Sequence, residues 1–170
     1  TTGQNITAIG TSMSKSAFYV GSEEGMINHV SWTGSKLTIK PWKIPGYTVL
    51  PVRSIFQDRE GNLWIGTSGS GLIKVRNPHG PSPEITIFDD RTGLKGEVVE
   101  TVFQDREGGI WIGTFGSGLS SLVDDFFTFF TPVLDDQPAE VTAIYANNQY
   151  RWFGTQNGLL RTSILGTESD

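Results

Sequence analysis

Few side chains in this sequence could do chemistry. Cysteine is absent, which excludes disulfides, thiolate metal sites and cysteine nucleophiles. The two histidines, His29 and His79, are far apart in the sequence and fall in different structural units. Two imidazoles cannot by themselves form the three-ligand site of a catalytic metal. We therefore expect no metal site and no cofactor, and we interpret each histidine as an ordinary strand or loop residue.

Acidic side chains occur in two pairs, Asp124-Asp125 and Asp135-Asp136, and in two turn-like segments, residues 58–62 and 105–109. A glycosidase needs two carboxyl groups about 5–10 Å apart across a cleft. Exposed aspartates in turns are far commoner, so the pairs favour no enzymatic activity. The turn-like segments lack the oxygen ligands and the distal glutamate of a calcium loop. We interpret them as hairpin turns, each capped by its aspartate and closed by a glycine with positive φ.

Glycine-rich segments cover residues 67–71 and 114–118. A phosphate-binding loop would continue into Lys-Ser/Thr and a helix, and neither segment does so. They are therefore predicted to be strand-to-strand turns. The formal net charge is −5 and no basic stripe is present, which argues against binding to nucleic acid or to an anionic membrane. No segment has the length of a membrane-spanning helix, and any export signal is expected outside this sequence.

An internal repeat organises the whole chain. The segment VRSIFQDREGNLWIGTSGSGL, residues 52–72, returns as VETVFQDREGGIWIGTFGSGL, residues 99–119, and weaker copies cover residues 6–26 and 141–159. The glycines that mark the four copies, Gly21, Gly66, Gly113 and Gly154, are separated by 45, 47 and 41 residues. The units are rich in β-branched and aromatic residues and lack helical periodicity. A period in the forties with this pattern predicts the four-stranded blades of a β-propeller.

The predicted fold is all-β: a propeller segment of four four-stranded blades, about residues 5–45, 52–90, 99–131 and 141–165, with about fifteen strands. The last blade is predicted to lack its outer strand. The segment Phe126–Phe130 is apolar on both faces and is predicted to be a buried outer strand. A closed four-bladed propeller is the alternative, and we favour a piece of a larger disc because the first four residues are too few to supply the missing strand.

The repeat resembles the two-component regulator propeller repeat, whose blade reads roughly V-x-x-I-x-x-D-x-x-G-N-L-W-I-G-T-x-x-x-G-L. The second and third copies match it nearly throughout, whereas the fourth keeps Trp152, Gly154 and Thr155 and the first has Tyr19 in the tryptophan place. The resemblance implies a periplasmic or extracellular sensory input of a bacterial signalling protein. Several such propellers bind oligosaccharides, and the resemblance supplies no universal ligand residue.

Two functions of different classes follow from this pattern. The first is a non-catalytic sensory module that binds an oligosaccharide or another small ligand. The second is a scaffold for protein–protein interaction within a larger assembly, and an enzyme is a third, less favoured class. In either of the first two cases, further propeller blades or another chain are expected to cover the open faces of the terminal blades.

Two sets of residues carry the predicted roles. Large aromatics dominate burial, so the aromatic at the repeated position is assigned to packing between blades rather than to sugar stacking. The structural set is Tyr19, Trp64, Trp111, Trp152, Gly66, Gly113 and Gly154. Ligand contacts are predicted on the rim where turns between the second and third strands meet the connections between blades. That set is Glu23, Ser68, Phe115, Gln156 and Asn157, with Glu24, Ser70, Lys95, Glu97 and Ser117 nearby. Phe115 replaces Ser68 of the preceding copy, so the repeat itself does not require an aromatic there.

Overall fold

A computed structural model describes residues 5–44, 50–123, 126–130, 133–134, 137–138 and 140–163. Four antiparallel sheets follow one another along the chain, and in each sheet the strands are neighbours in sequence order. The predicted all-β propeller architecture is confirmed. The fifteen strands of these sheets match the number that the repeat predicted.

The strands of each blade run outward from an inner first strand. Blade 1 consists of β1 (Ile6–Thr11), β2 (Ala17–Ser22), β3 (Ile27–Thr33) and β4 (Lys36–Trp42). Blade 2 consists of β5 (Val52–Gln57), β6 (Leu63–Thr67), β7 (Leu72–Arg76) and β8 (Glu84–Phe88). Blade 3 consists of β9 (Val99–Gln104), β10 (Ile110–Thr114), β11 (Gly118–Val123) and β12 (Phe126–Phe130). Blade 4 consists of β15 (Val141–Ala146), β16 (Tyr150–Thr155) and β17 (Gly158–Ser163).

Two short elements lie between the blades. A 3₁₀ turn at Asp90–Thr92 precedes blade 3, and it is capped by the side chain of Asp89. A two-stranded hairpin of β13 (Val133–Leu134) and β14 (Gln137–Pro138) precedes blade 4, and the repeat gave no sign of it. Blade 4 has three strands in the described residues, in agreement with the predicted incomplete last blade. None of the helical segments in the described part of the chain has the length and apolarity needed to span a bilayer.

The core lies between blades. One cluster of buried residues joins blades 1 and 2 around Tyr19 and Val52, a second joins blades 2 and 3 around Trp64 and Val99, and a third joins blades 3 and 4 around Trp111. The extensive packing between sheets in the described residues joins consecutive blades, with inner strand against inner strand. Blades 1 and 4 make no comparably extensive contact there, which favours the open segment over a closed four-bladed ring.

The outer strand β12 corrects one expectation. It forms where the sequence placed it, but Phe126 is 77% exposed and Phe130 is 42% exposed, so the strand is not buried. The face of an outer strand that points towards the next blade is covered only when that blade supplies an outer strand of its own. Blade 4 has no described strand beyond β17 to lie against β12, so the phenylalanines face solvent.

Candidate functional site

The repeated glycines are the points at which each blade meets the inner strand of the next. A Cβ atom placed on Gly21 would lie 2.5 Å from Cγ1 of Val52 in blade 2. One on Gly66 would lie 2.6 Å from the carbonyl oxygen of Val99 and one on Gly113 2.7 Å from that of Val141, and each of these two would also collide with a side chain of its own blade, Ser54 or Thr101. These separations are too short for non-bonded atoms. Gly154 has no such neighbour, since the nearest atom to its hypothetical Cβ is the Cβ of Ala143 in its own blade, at 3.3 Å.

The repeated tryptophan is held by the aspartate of the preceding hairpin turn. Trp64 Nε1 donates to Oδ2 of Asp58 at 2.8 Å. In blade 3 Trp111 Nε1 donates to Oδ2 of Asp105 at 2.7 Å. The other oxygen of Asp58 accepts from the backbone amide of Asn62 at 2.8 Å, so one carboxylate closes the turn and fixes the indole. The turn role was predicted, whereas the bond to the indole was not.

Blade 4 departs from this arrangement. Trp152 is only half-buried, because its face meets no further blade in the described residues. Arg151 stands where the second and third copies have Leu63 and Ile110. Its guanidinium lies 3.4 Å from Asp105 Oδ2, 3.9 Å from Glu107 Oε2 and 4.8 Å from the centre of the Trp111 ring. Blade 4 is therefore joined to blade 3 by a charged contact specific to this junction.

Backbone hydrogen bonds show how the predicted rim segments lie in blades 2 and 3. Ser68 in the β6–β7 turn donates its backbone N–H to Pro51 before blade 2, and the Gly69 N–H donates to Glu97 before blade 3, at 2.9 and 3.0 Å. In blade 3 the Phe115 N–H donates to Val98 at 2.9 Å. The turns between second and third strands and the connections between blades thus lie together.

The side chains of the rim candidates differ in their exposure and in their hydrogen bonds. Phe115 is 53% exposed, so its ring does not fold into the core of its own blade. Glu23 accepts from Asn5 Nδ2 at 3.1 Å, and Gln156 donates to Glu140 Oε2 at 2.8 Å. Asn157 is exposed and Ser68 is half-buried. The candidates come from four consecutive blades, one turn each, with Phe115 as the aromatic member.

At the opposite edge of the blades the structure brings together two residues that the sequence treated separately. His29 and His79 have ring centres 4.9 Å apart, and Tyr19 Oη lies 2.6 Å from His79 Nε2. His29 is a strand residue and His79 a loop residue, and they meet because the loop after β7 carries His79 across to blade 1. A signal was present in the sequence: the turn of the first copy has Ser12 where the second has Asp58, so Tyr19 needs another partner.

No group of three or more His, Cys, Asp or Glu that could hold a metal ion occurs among the described residues. The pairs Asp124-Asp125 and Asp135-Asp136 lie outside the described residues. Two kinds of candidate site therefore remain. One is the set of polar and aromatic side chains of the rim. The other, at the opposite edge, comprises the cleft between blades 1 and 2 and the cleft between blades 2 and 3.

Fold and repeat together define a β-propeller segment. Residues 46–69 and 93–116 match the family model of the two component regulator propeller. These matches cover the second and third copies from the chain before the inner strand to the turn after the tryptophan strand. Two of the four repeat copies thus match the two component regulator propeller.

Solved structures show the same fold in larger proteins. The extracellular domain of a protein from B. thetaiotaomicron, assigned to a one component system, is 20% identical with a TM-score of 0.73 over 95% of this chain. A catalytically inactive virginiamycin B lyase from Staphylococcus aureus, solved with Quinupristin, is 16% identical with a TM-score of 0.67 over 98% of this chain. The chain spans 22% of the first protein and 56% of the second. A search of curated proteins finds no match.

Proposed function

We propose that this chain is part of the extracytoplasmic input module of a bacterial signalling protein. In this proposal it binds an oligosaccharide or another small ligand at the rim without transforming it. The observation that carries the proposal is the match of residues 46–69 and 93–116 to the two component regulator propeller. The similar extracellular domain from B. thetaiotaomicron supports a periplasmic or extracellular location.

The rim carries groups that suit the binding of a sugar. Ser68, Phe115 and Asn157 offer a hydroxyl, an aromatic face and an amide, which are groups that recognise sugars by hydrogen bonds and stacking. The lyase with a similar fold means that architecture alone does not separate a receptor from an enzyme.

A screen of oligosaccharides followed by calorimetry on rim variants tests the proposal. We expect Phe115→Ala to weaken the affinity for the ligand at least about tenfold, since a buried aromatic contact commonly contributes more than 1 kcal/mol. Phe126→Ala is the matched control, because Phe126 is 77% exposed but lies on the outer strand of blade 3. Unchanged affinity in both Phe115→Ala and Gln156→Ala, for any ligand that does bind, would remove the rim as the site.

The scaffold function is the second candidate, and exposed apolar faces favour it. The face of blade 1 turned away from blade 2 exposes Ile9 by 73% and Ile39 by 60%. The face of blade 4 turned away from blade 3 exposes Tyr145 and Leu159 by 62% each. Further blades or another chain are the partners that would cover such faces. Light scattering that finds a stable monomer of this chain at high concentration would count against an uncovered face that needs a partner.

A further inference from the structure

The cleft between blades 1 and 2 lies at the edge opposite the rim. Tyr19, His29 and Lys40 are direct cross-strand partners, so their side chains form one row on the face of blade 1 that meets blade 2. His79, from the loop between β7 and β8, covers this row and stacks on Tyr19 with ring centres 6.0 Å apart. Trp42 Nε1 holds that loop by donating to the carbonyl of Pro78 at 2.8 Å.

The row borders a cavity of about 450 Å³. This volume lies in the range of small-molecule sites. The cavity is lined by Ser12, Met13, Ser14, His29, Lys40, Gln57 and His79. Serine hydroxyls and imidazoles supply hydrogen bonds, Lys40 supplies a positive charge, and the exposed side chain of Met13 supplies an apolar surface. The chemistry of the lining therefore suits a ligand with both a charged and an apolar part.

The charge of this cleft differs from that of its repeat-equivalent. The cleft between blades 2 and 3 is lined by Asp58 and Glu60 together with Lys74 and Arg76, so its charges balance. The lining between blades 1 and 2 includes no carboxylate, because Ser12 stands in the place of Asp58. A cation without a counter-charge in a partly enclosed cleft attracts an anion.

The pKa shifts of His29 and Tyr19 are consistent with a cleft that carries the positive charge of Lys40 and no negative charge. Burial lowers the pKa of His29 below its usual value of 6.5, and the neighbouring His79 and Lys40 lower it further. Burial raises the pKa of Tyr19 to about 12, so the phenol is neutral and adds no negative charge. The groups facing His29 are thus Lys40, His79 and a neutral Tyr19. An anion placed beside His29 would favour its protonated form, so binding would take up a proton.

A metal ion fits the cleft poorly. Nε2 of His79 is already hydrogen-bonded to the hydroxyl of Tyr19, and the positive charge of Lys40 would repel a cation placed beside His29. We propose that the cleft between blades 1 and 2 binds a small organic monocarboxylate, whose carboxylate pairs with Lys40 and His29 and whose apolar part lies on Met13. This site goes beyond the rim function, and each can fail without the other because they lie at opposite edges of the blades.

Proton NMR of the imidazoles tests the proposal directly, because the chain has two histidines and therefore two Cε1–H signals. Benzoate is the probe and neutral benzamide, of similar shape, is its control. We expect benzoate to shift both signals saturably, with an affinity that rises as the pH falls from about 8 to about 6, where imidazoles titrate. Absence of a saturable shift with benzoate, or an equal shift with benzamide, would overturn the proposal.

A pair of lysine variants tests the charge contact. Lys40→Gln removes the cation of the cleft, whereas Lys36→Gln removes an exposed lysine of the same strand that does not line the cavity. We expect Lys40→Gln to weaken benzoate binding at least about tenfold, as loss of a charge-assisted contact does. Lys36→Gln should leave binding unchanged, and His29→Gln should weaken its pH dependence. Equal affinities in the two lysine variants would contradict the assignment.

Discussion

The indole nitrogen of Trp64 donates a hydrogen bond of 2.8 Å to Oδ2 of Asp58, six residues earlier in the same blade. Both residues are buried, with 1% and 3% of their surfaces exposed. Asp58 also accepts from Asn62 Nδ2 at 2.8 Å. One carboxylate therefore links the hairpin turn of blade 2 to the aromatic that packs against blade 3.

Removal of this carboxylate should destabilise the fold. Asp58→Ala leaves the indole N–H and the Asn62 amide buried without their acceptor, so we expect a loss of at least about 2 kcal/mol in the free energy of unfolding. Glu84→Ala is the control, because the ion pair of Glu84 with Arg76 is exposed and such pairs contribute about 0–1 kcal/mol. Urea unfolding measures both, and similar losses in the two variants would contradict a structural role for the Trp64–Asp58 bond.

The tryptophans at the repeated position should differ in their contributions. Trp64→Ala and Trp111→Ala remove side chains that are 1% and 7% exposed, and each should lower the free energy of unfolding by about 3–5 kcal/mol. Trp152→Ala should cost less than either, because Trp152 is only half-buried at a face without a further blade. Urea melts with losses under about 1 kcal/mol for both Trp64→Ala and Trp111→Ala would refute the packing role.

The sequence predicts what every blade shares and misses what depends on a neighbour. The four successive sheets and their number of strands were predicted, because β-branched and aromatic residues and the glycine turns repeat along the chain. The exposure of Phe126 and the half-burial of Trp152 were missed, because burial of a blade face depends on the next blade rather than on local sequence. Likewise, the meeting of His29 and His79 depends on a loop that crosses between blades.

The stability of the protein should depend on pH through His29. Burial and the neighbouring His79 and Lys40 lower the pKa of His29 in the folded state below 6.5. Around that pH the unfolded chain binds more protons than the folded chain, so this contribution to stability is present above 6.5 and is lost as the pH falls towards the folded pKa. We expect His29→Gln to lose stability less than the parent protein between about pH 8 and about pH 5.5, across the range of imidazole titration.

Urea unfolding of the two proteins at several pH values measures that difference. The carboxylates are the same in both proteins, so their contribution to the pH dependence of stability cancels in the comparison. Parallel stability curves for the parent protein and His29→Gln over this range would contradict the lowered pKa of His29. A curve for the variant that falls more steeply than that of the parent would contradict its direction.

The central claim is that each blade is built to receive the inner strand of the next, and one pair of glycine variants tests it most directly. In Gly21→Ala the new methyl group meets only the side chains of Val52 and Ile55 in blade 2, with Val52 Cγ1 2.5 Å away, whereas in Gly154→Ala it meets only Ala143 of its own blade. Overpacking predicts that Gly21→Ala lowers the free energy of unfolding by about 1–3 kcal/mol. Gly154→Ala should stay within about 0.5 kcal/mol of the parent, as substitutions away from such contacts do. Equal losses for Gly21→Ala and Gly154→Ala in urea unfolding would contradict the claim.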